Sequence, residues 1–400
     1  MVIICDISAW QYWGTPPLLS RVPIADESPL ALPVDATTVL QGVPRVRSNA
    51  RESSRLVQGR LLEDLKGLRL PVHVMTDDTA SHRGNEIVVP HRVAPWVSRD
   101  HLVDIGGGLH VLSPAATLCS QPRRRPGDDF AEAVLLAKMM YELTGIFALA
   151  PITARTNGAL TALDRSGLLD PRLFKAGVVY GFSDELGRRL GDHDDRGEPL
   201  SWTPVFDRLG GYVGMWKRPA LTSVEEIGLV MDSLGCVGER SPKRRALAMV
   251  SDGAASPLEA KAHMLLCSGR KNGGEGWGRP FLNRRIVYSE QAASLAHARW
   301  CYADELWVEQ RGILEVLGEG FHADDQGFRL VSGRTAALES MGFTVAEVVH
   351  EQMSDLELFD AILPALGRKL GFVPCERTPA FLKRRNELHR ELFCMPYGPS

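Results

Sequence analysis

The stretch WCYADELWVEQRGILEVLG, residues 300–318, decides the fold. Two runs of strand character flank a polar turn near Glu309–Gly312, the pattern of a β-hairpin. Side chains alternate along a strand, so Ile313, Glu315 and Leu317 share one face, and Leu314 and Val316 share the other. Both faces are apolar apart from Glu315, as in a sheet covered on both sides. A carboxylate therefore stands where a covered strand should carry a methyl group. A tight turn about Gln310-Arg311 puts Asp304 opposite Leu317 and diagonal to Glu315, on one face. A register shifted by one residue puts the two acids on opposite faces.

Two ionised carboxylates in an apolar sheet are costly, so one takes a proton or both hold a cation. Mg²⁺ suits such a pair, because it takes one or two carboxylates and keeps several waters. Glu259, at the start of the preceding helix, could reach the same cation. The plainer explanations are a solvent-facing strand carboxylate and a capping-box glutamate. His322 follows a Gly-rich turn, GEGFHADD, residues 318–325, and a loop histidine needs no catalytic role to be there.

The segments around the hairpin build an α/β domain over residues 251–373. SPLEAKAHMLLCSG (256–269) is a helix with Ser256 as N-cap, Pro257 first and Glu259 at capping-box spacing. FLNRRIVY (281–288) reads as a strand, GRTAALESMG (333–342) as a helix stopped by Gly342, and FTVAEVV (343–349) as a strand. SDLELFDAILPALGRKLG (354–371) reads as a helix capped by Ser354 or Asp355 and kinked before Pro364. The order is α-β-β-β-α-β-α. In the tail, residues 374–400, Phe381, Arg385, Leu388 and Leu392 follow helical spacing, so a basic helix docks on this domain.

Upstream, VIIC (2–5), LPVHVM (70–75), NEIVVPHRV (85–93) and HLVDIGGGLHVLS (101–113) read as strands. SPAATLCSQ (113–121) is a Ser-capped helix, and residues 1–122 form a small α/β domain. A linker, QPRRRPGDD (121–129), leads into the helix DDFAEAVLLAKMMYELTG, and residues 123–250 form a mainly helical bridging region. The turn GDHDDRG (191–197) reads as polar surface.

Composition narrows the function classes. A chain of 400 residues exceeds one core, and a net charge of −3 confines any nucleic-acid surface to a local patch. Seven scattered cysteines without a CxxC pair argue against a zinc finger or a disulfide framework. No stretch reads as a signal peptide or a membrane span, so the expectation is a cytoplasmic protein.

Four blocks resemble a known family in order: SDGAASPLEAKAHMLL, GWGRPFLNRRI, YADELWVEQRGILEVLGEGFH and LESMGFTVAEVVHEQMSDLELFDAI, over roughly residues 240–372. The family is one of bacterial predicted endonucleases allied to very-short-patch mismatch-repair nucleases, with a PD-(D/E)xK-type core. ISAWQYWG, LPVHVM and VLSPAATLC resemble, more loosely, the amino-terminal part of AbiE-type antitoxin-like proteins. The resemblance implies a restriction-endonuclease-like mixed sheet flanked by helices. It also implies a Mg²⁺ (or Mn²⁺) site on Asp304 and Glu315, with Glu259 holding a metal-bound water and His322 acting as general acid or base. The polar residue expected two positions after Glu315 is Leu317 here, which puts the activity in doubt. DNA is the implied partner, and the amino-terminal region is a candidate surface for a protein partner.

Four basic runs could meet phosphates: Arg123-Arg124-Arg125, Lys243-Arg244-Arg245, Arg284-Arg285 and the tail helix. Arg284-Arg285 stands out because its strand leads towards the acids. The alternative function is a non-enzymatic, antitoxin-like DNA-binding or partner-binding regulator that keeps the nuclease fold as a scaffold.

Overall fold

A computed structural model describes residues 1–15, 68–69, 71–77, 88–106, 109–149, 203–206, 212–234, 238, 240–318 and 325–397. The chain divides into two compact units. The first holds Met1–Arg123 and Phe147–Cys236, and the second holds Arg124–Ile146 and Val237–Ser400. The division between Arg123 and Arg124 lies within QPRRRPGDD. The helix Asp129–Thr144 falls in the second unit, and the strands Phe147–Leu149, Thr203–Phe206 and Tyr212–Lys217 fall in the first.

In the first unit, five strands form one mixed sheet: β1 (Val2–Ile4), β2 (Val72–Thr76), β3 (Val88–Arg92), β4 (Leu102–Gly106) and β5 (Leu109–Leu112). Their order is β3-β2-β1-β5-β4, with β1 parallel to β5 and β2 parallel to β3. Val2, Ile4, Val72, Val74, Leu109 and Val111 bury one face, while Ile3, Cys5, Met75 and Leu112 bury the other. This is the two-sided apolar pattern of a covered sheet. Helix α1 (Asp6–Gly14) starts two residues after β1 ends, and α2 (Pro114–Ser120) is capped by Ser113, whose hydroxyl accepts from the Ala116 amide.

The expectation of helix across 146–250 is corrected in part. Among its described residues, β6 (Phe147–Leu149), β7 (Thr203–Phe206) and β8 (Tyr212–Lys217) form an antiparallel sheet. Helices α4 (Val224–Ser233) and α5 (Pro242–Leu247) follow it. YVGMWK has the aromatic and β-branched content of a strand, and its turn-rich flanks disguise it.

The second unit is built on helix α3 (Asp129–Thr144), buried nearly all round, and on a four-stranded sheet. After α6 (Pro257–Cys267) come β9 (Phe281–Val287), the short α7 (Glu290–Ala296), β10 (Trp300–Trp307) and β11 (Gly312–Leu317). Then follow α8 (Asp325–Ser340), β12 (Thr344–Val349), α9 (His350–Ser354), α10 (Leu356–Leu370) and α11 (Pro379–Phe393). The strand order is β12-β11-β10-β9: three antiparallel strands, then a fourth parallel to the third. Two short helices are added to the expected element order: α7 between the first two strands and α9 between β12 and α10.

Of the two alternative caps, Asp355 caps α10, since its Oδ1 accepts from the amides of Glu357 and Leu358. The tail helix docks as its spacing predicts. Phe381, Leu388 and Leu392 are buried, and Arg385 is fully buried among carbonyls and carboxylates. Arg385 donates through Nη1 to the Leu265 and Gly273 carbonyls at 2.9 and 3.1 Å, and through Nη2 to Asp360 Oδ1 at 3.2 Å. The buried Glu275 lies 3.5 Å from Arg385 and 2.7 Å from Arg377. Lys138 of α3 donates to the carbonyls of Glu391, Met395 and Pro396, where a cation offsets the negative end of α11.

The loop that carries this network leaves no room for a side chain at Gly274. A Cβ there would sit 2.1 Å from the Ser268 carbonyl oxygen. Gly274→Ala is therefore expected to cost at least the roughly 1–3 kcal/mol of an overpacked interior site. A urea midpoint within error of wild type would contradict the tight approach. Among the described residues, no helix is long and apolar enough to cross a membrane.

Candidate active site

The hairpin register differs from the tight-turn expectation. Trp307 pairs with Gly312, Leu306 with Ile313 and Glu305 with Leu314, so the loop is Val308–Arg311 rather than two residues. Arg311, the last loop residue, ties the loop to the chain beyond the hairpin. It adopts φ 50°, its guanidinium donates to the Met341 and Gly342 carbonyls at 2.5 and 3.0 Å, and its own carbonyl accepts from Thr344. The shift of two residues preserves the face and moves Asp304 from the diagonal to the position directly opposite Glu315.

At that point the ladder stops. The paired register ends at Glu305–Leu314, and the Val316 amide donates to Asp304 Oδ2 at 2.8 Å, a side chain taking the acceptor role. On the other side, Asn283 adopts φ 48°, and Asp304 is missing from the otherwise continuous β9–β10 pairing. Across the parallel neighbour, Glu315 pairs with Glu347. The registers thus line up Asn283, Asp304, Glu315 and Glu347 across four strands, with the sheet irregular at Asp304.

Arg334 of α8 supplies the positive charge. Its Nη2 lies 2.7 Å from Glu315 Oε2 and 2.8 Å from Oε1, and it also donates to the Tyr302 carbonyl. Helical spacing puts Arg334 one turn from the buried Ala337 and Leu338, a sequence signal for an inward-facing arginine. Even so, burial first, then Asp304, push the Glu315 carboxyl up to about 8 against the opposing pull of Arg334. Glu259 and Glu347 add smaller repulsions.

Glu259 is half of the expected capping box. Ser256 Oγ accepts from the Glu259 amide at 3.1 Å, but the carboxylate reaches past the cap to the Ala255 amide at 2.8 Å. The same oxygen accepts from Asn283 Nδ2 at 2.5 Å, which ties the helix start to the irregular point of β9. Glu305, next to Asp304 in the chain, is fully buried beside Cys267, whose thiol donates to it at 3.9 Å. Burial, then Asp304 and Glu259, hold its carboxyl well above the usual range, so it is a protonated core group. Leu317 pairs with Val349 and brings no polar atom. His322 lies outside the described residues.

The basic runs separate by their partners. The amides of Arg124 and Arg125 donate to Glu132 Oε2 at 3.0 and 2.7 Å, and the Arg125 guanidinium lies 3.7 Å from Glu391. Arg245 donates to Asn272 at 2.9 Å. Arg284 and Arg285 lie on β9, which ends the sheet order, with Phe281 57% and Val287 65% exposed beside them. Arg284 stacks over Phe281 at 5.6 Å and Arg285 over Trp300 at 5.0 Å, a surface of cations and rings flanking Asn283. His263 is a different case. Burial, then Arg279, hold its imidazole down at about 3, and it pairs with Tyr141 at 2.5 Å as a neutral core residue.

With family models, curated proteins and solved structures, comparison finds no match to this chain. The site therefore rests on its own geometry.

That geometry carries a pH signature. The unfolded chain releases the Glu315 proton near ~4.3, whereas the folded chain keeps it to about 8. Between those values the folded state binds more protons, so stability falls as pH rises through the window. Glu305 contributes with the same sign. The metal-free protein is expected to melt at lower temperature as pH rises from about 5 to about 8, with a shallower fall in Glu315→Gln. A slope unchanged by that substitution would show that Glu315 ionises normally.

Proposed function

We propose that the second unit is an endonuclease-like module that hydrolyses DNA phosphodiester bonds with a divalent metal. The observation that carries this reading is the acid pair itself: Asp304 and Glu315 face each other where the hairpin ladder stops, and Glu315 keeps its proton to about 8. Perturbed carboxylates that face each other concentrate at functional sites. The strand order and flanking helices agree with the restriction-endonuclease-like core that the sequence resemblance implies, although a fold alone does not fix an activity.

The donor set suits Mg²⁺ or Mn²⁺, because it is all oxygen and retains more negative charge than Arg334 balances. Asp304 and Glu315 would hold the ion, which when bound lowers the pKa of a water and neutralises charge on the phosphate. The chain's own groups do the rest. Glu259, fixed by Ala255 and Asn283, orients the attacking water, and Arg334 keeps Glu315 in place. His322 gives a proton to the leaving oxygen or takes one from the water. Arg284 and Arg285 hold flanking phosphates, with Phe281 as a stacking surface. The test is nicking of supercoiled and mismatched DNA in Mg²⁺ or Mn²⁺, with Asp304→Ala as the control.

A second reading is favoured by Leu317 and by the two-pronged hold of Arg334 on Glu315, which occupies both carboxylate oxygens. In that reading the chain is a non-enzymatic, antitoxin-like regulator that binds DNA or a protein partner. It predicts salt-sensitive retention of DNA or tight capture of a partner, unaffected by Glu315→Gln, with no nicking at any metal concentration.

A further inference from the structure

We propose that Asp6, His73 and His91 of the first unit form a binding site for one divalent transition-metal ion of the zinc class. The sheet brings the three together from distant parts of the sequence. β2 and β3 run parallel with His73 beside Val89 and His91 beside Met75, so the two imidazoles are diagonal neighbours on one face. Their rings stack at 5.3 Å and 17°, with His73 Nδ1 at 3.0 Å from His91 Nε2. Asp6 follows β1 and opens α1, and its Oδ2 lies 3.2 Å from the same His73 Nδ1. One ligand atom from each residue lies within 4.8 Å of the others, and among the described residues this is the group of three that could hold a metal.

The contacts conflict without a cation. His73 Nδ1 meets both a carboxylate oxygen and a ring nitrogen, yet it carries at most one hydrogen. Full donation to Asp6 leaves His91 Nε2 short of a donor, and sharing the one hydrogen serves each acceptor only in part. An ion at the centre removes the conflict, because all three groups then present lone pairs. The spacing fits as well. Tetrahedral ligands about 2.0–2.1 Å from a metal lie about 3.3–3.4 Å from each other, close to the observed 3.0 and 3.2 Å.

The surroundings hold the donors in place. Asp6 adopts φ 53°, uncommon for a residue with a side chain, and is 6% exposed. The Ile7 amide donates to its Oδ1 at 2.5 Å and Gln121 donates to its carbonyl at 2.8 Å, which leaves Oδ2 turned to the histidines. The His73 amide donates to Ser8 Oγ at 3.0 Å. Two imidazoles and one carboxylate suit Zn²⁺, Co²⁺ or Ni²⁺ over Mg²⁺, which prefers oxygen alone. The side chain of His73 remains 23% exposed, an entry path for the ion.

The test uses the untagged full chain, stripped with chelator, desalted and titrated with Zn²⁺ and separately with Co²⁺. One ion per chain is expected, with a cobalt spectrum of nitrogen and oxygen ligands and no thiolate charge-transfer band. His91→Gln and Asp6→Asn are each expected to weaken Zn²⁺ by more than the roughly 10–100-fold that loss of an outer-shell partner costs. Glu315→Gln, in the other unit, leaves the zinc affinity unchanged, which separates this site from the proposed nuclease centre. Full zinc affinity in a folded His91→Gln or Asp6→Asn protein, or no binding by the wild type, overturns the proposal. If both variants fail to fold, the wild-type cobalt spectrum decides. Thiolate bands would place the ion on cysteine and overturn it, and their absence with one bound ion would support it.

Discussion

Asp304→Ala is expected to lower Mg²⁺-dependent nicking by at least about 10²–10³-fold, the scale seen when one preorganised charge-stabilising group leaves an active site. The side chain has two jobs. Its Oδ2 accepts from the Val316 amide where the ladder stops, and its charge helps push Glu315 up to about 8. Alanine removes both, so the Glu315 carboxyl should fall towards its ordinary range and pair more completely with Arg334. The variant is thus expected to lose activity while losing little stability, because relief of repulsion offsets the lost hydrogen bond. Asp304→Asn keeps the shape and removes the charge, and should be as inactive as alanine. Nicking that persists in both variants, with the same metal dependence, would place the reaction elsewhere. Complete inactivity of the wild type, with DNA or a partner still retained, would favour the scaffold reading.

Arg385→Ala is expected to destabilise the second unit by about 3–5 kcal/mol, the cost of breaking a buried ion pair by removing one partner. The guanidinium is fully buried, and its loss removes the donor of the Gly273 carbonyl and the nearer cation of Asp360, while the Leu265 carbonyl keeps the Glu275 amide. Glu275 is better protected. Arg377 stays 2.7 Å from it, and the Cys375 amide still donates at 3.2 Å. Arg377→Ala, removing a side chain that is 30% exposed, should therefore cost clearly less than Arg385→Ala. Urea unfolding of the two variants checks the order. Equal costs, or a loss below about 1 kcal/mol for Arg385→Ala, would mean that the tail helix is held by its apolar face alone.

The parts of the fold legible in the sequence were those encoded locally. Ser113, Ser256 and Thr378 cap helices, and each is followed by a proline at the first helical position. The apolar strands VII, VHVM and GILEVL have the composition of covered sheets. The docking of the tail followed from the spacing of Phe381, Arg385, Leu388 and Leu392. What sequence could not supply was geometry set at a distance. The hairpin loop is longer than a tight turn, and its Arg311 is held by carbonyls 30 and 31 residues away. Glu305 reads like its neighbour Asp304 along the chain, yet one becomes a protonated core group and the other meets the hairpin gap. Arg334 was the missed member of the site, although its place on the buried stripe of α8 was a usable sign. Asp6, His73 and His91 carried no motif spacing, since β1, β2 and β3 bring them together only in the folded sheet.

The path of the chain between units sets a timetable for synthesis. Helix α3 lies in a segment of the second unit, Arg124–Ile146, while the rest of that unit begins only at Val237. The intervening residues 147–236 belong to the first unit. At about 5–20 residues per second, a ribosome needs roughly 5–20 s to make them. During that interval a helix that ends up buried nearly all round has no partner to cover it. The nascent chain therefore exposes a sticky apolar cylinder at a fixed stage, a natural moment for chaperone capture. The same path governs how the molecule can be cut. A fragment starting at Val237 would abandon the Tyr141–His263 contact and the Lys138 cap, whereas joining 124–146 directly to 237–400 would retain both.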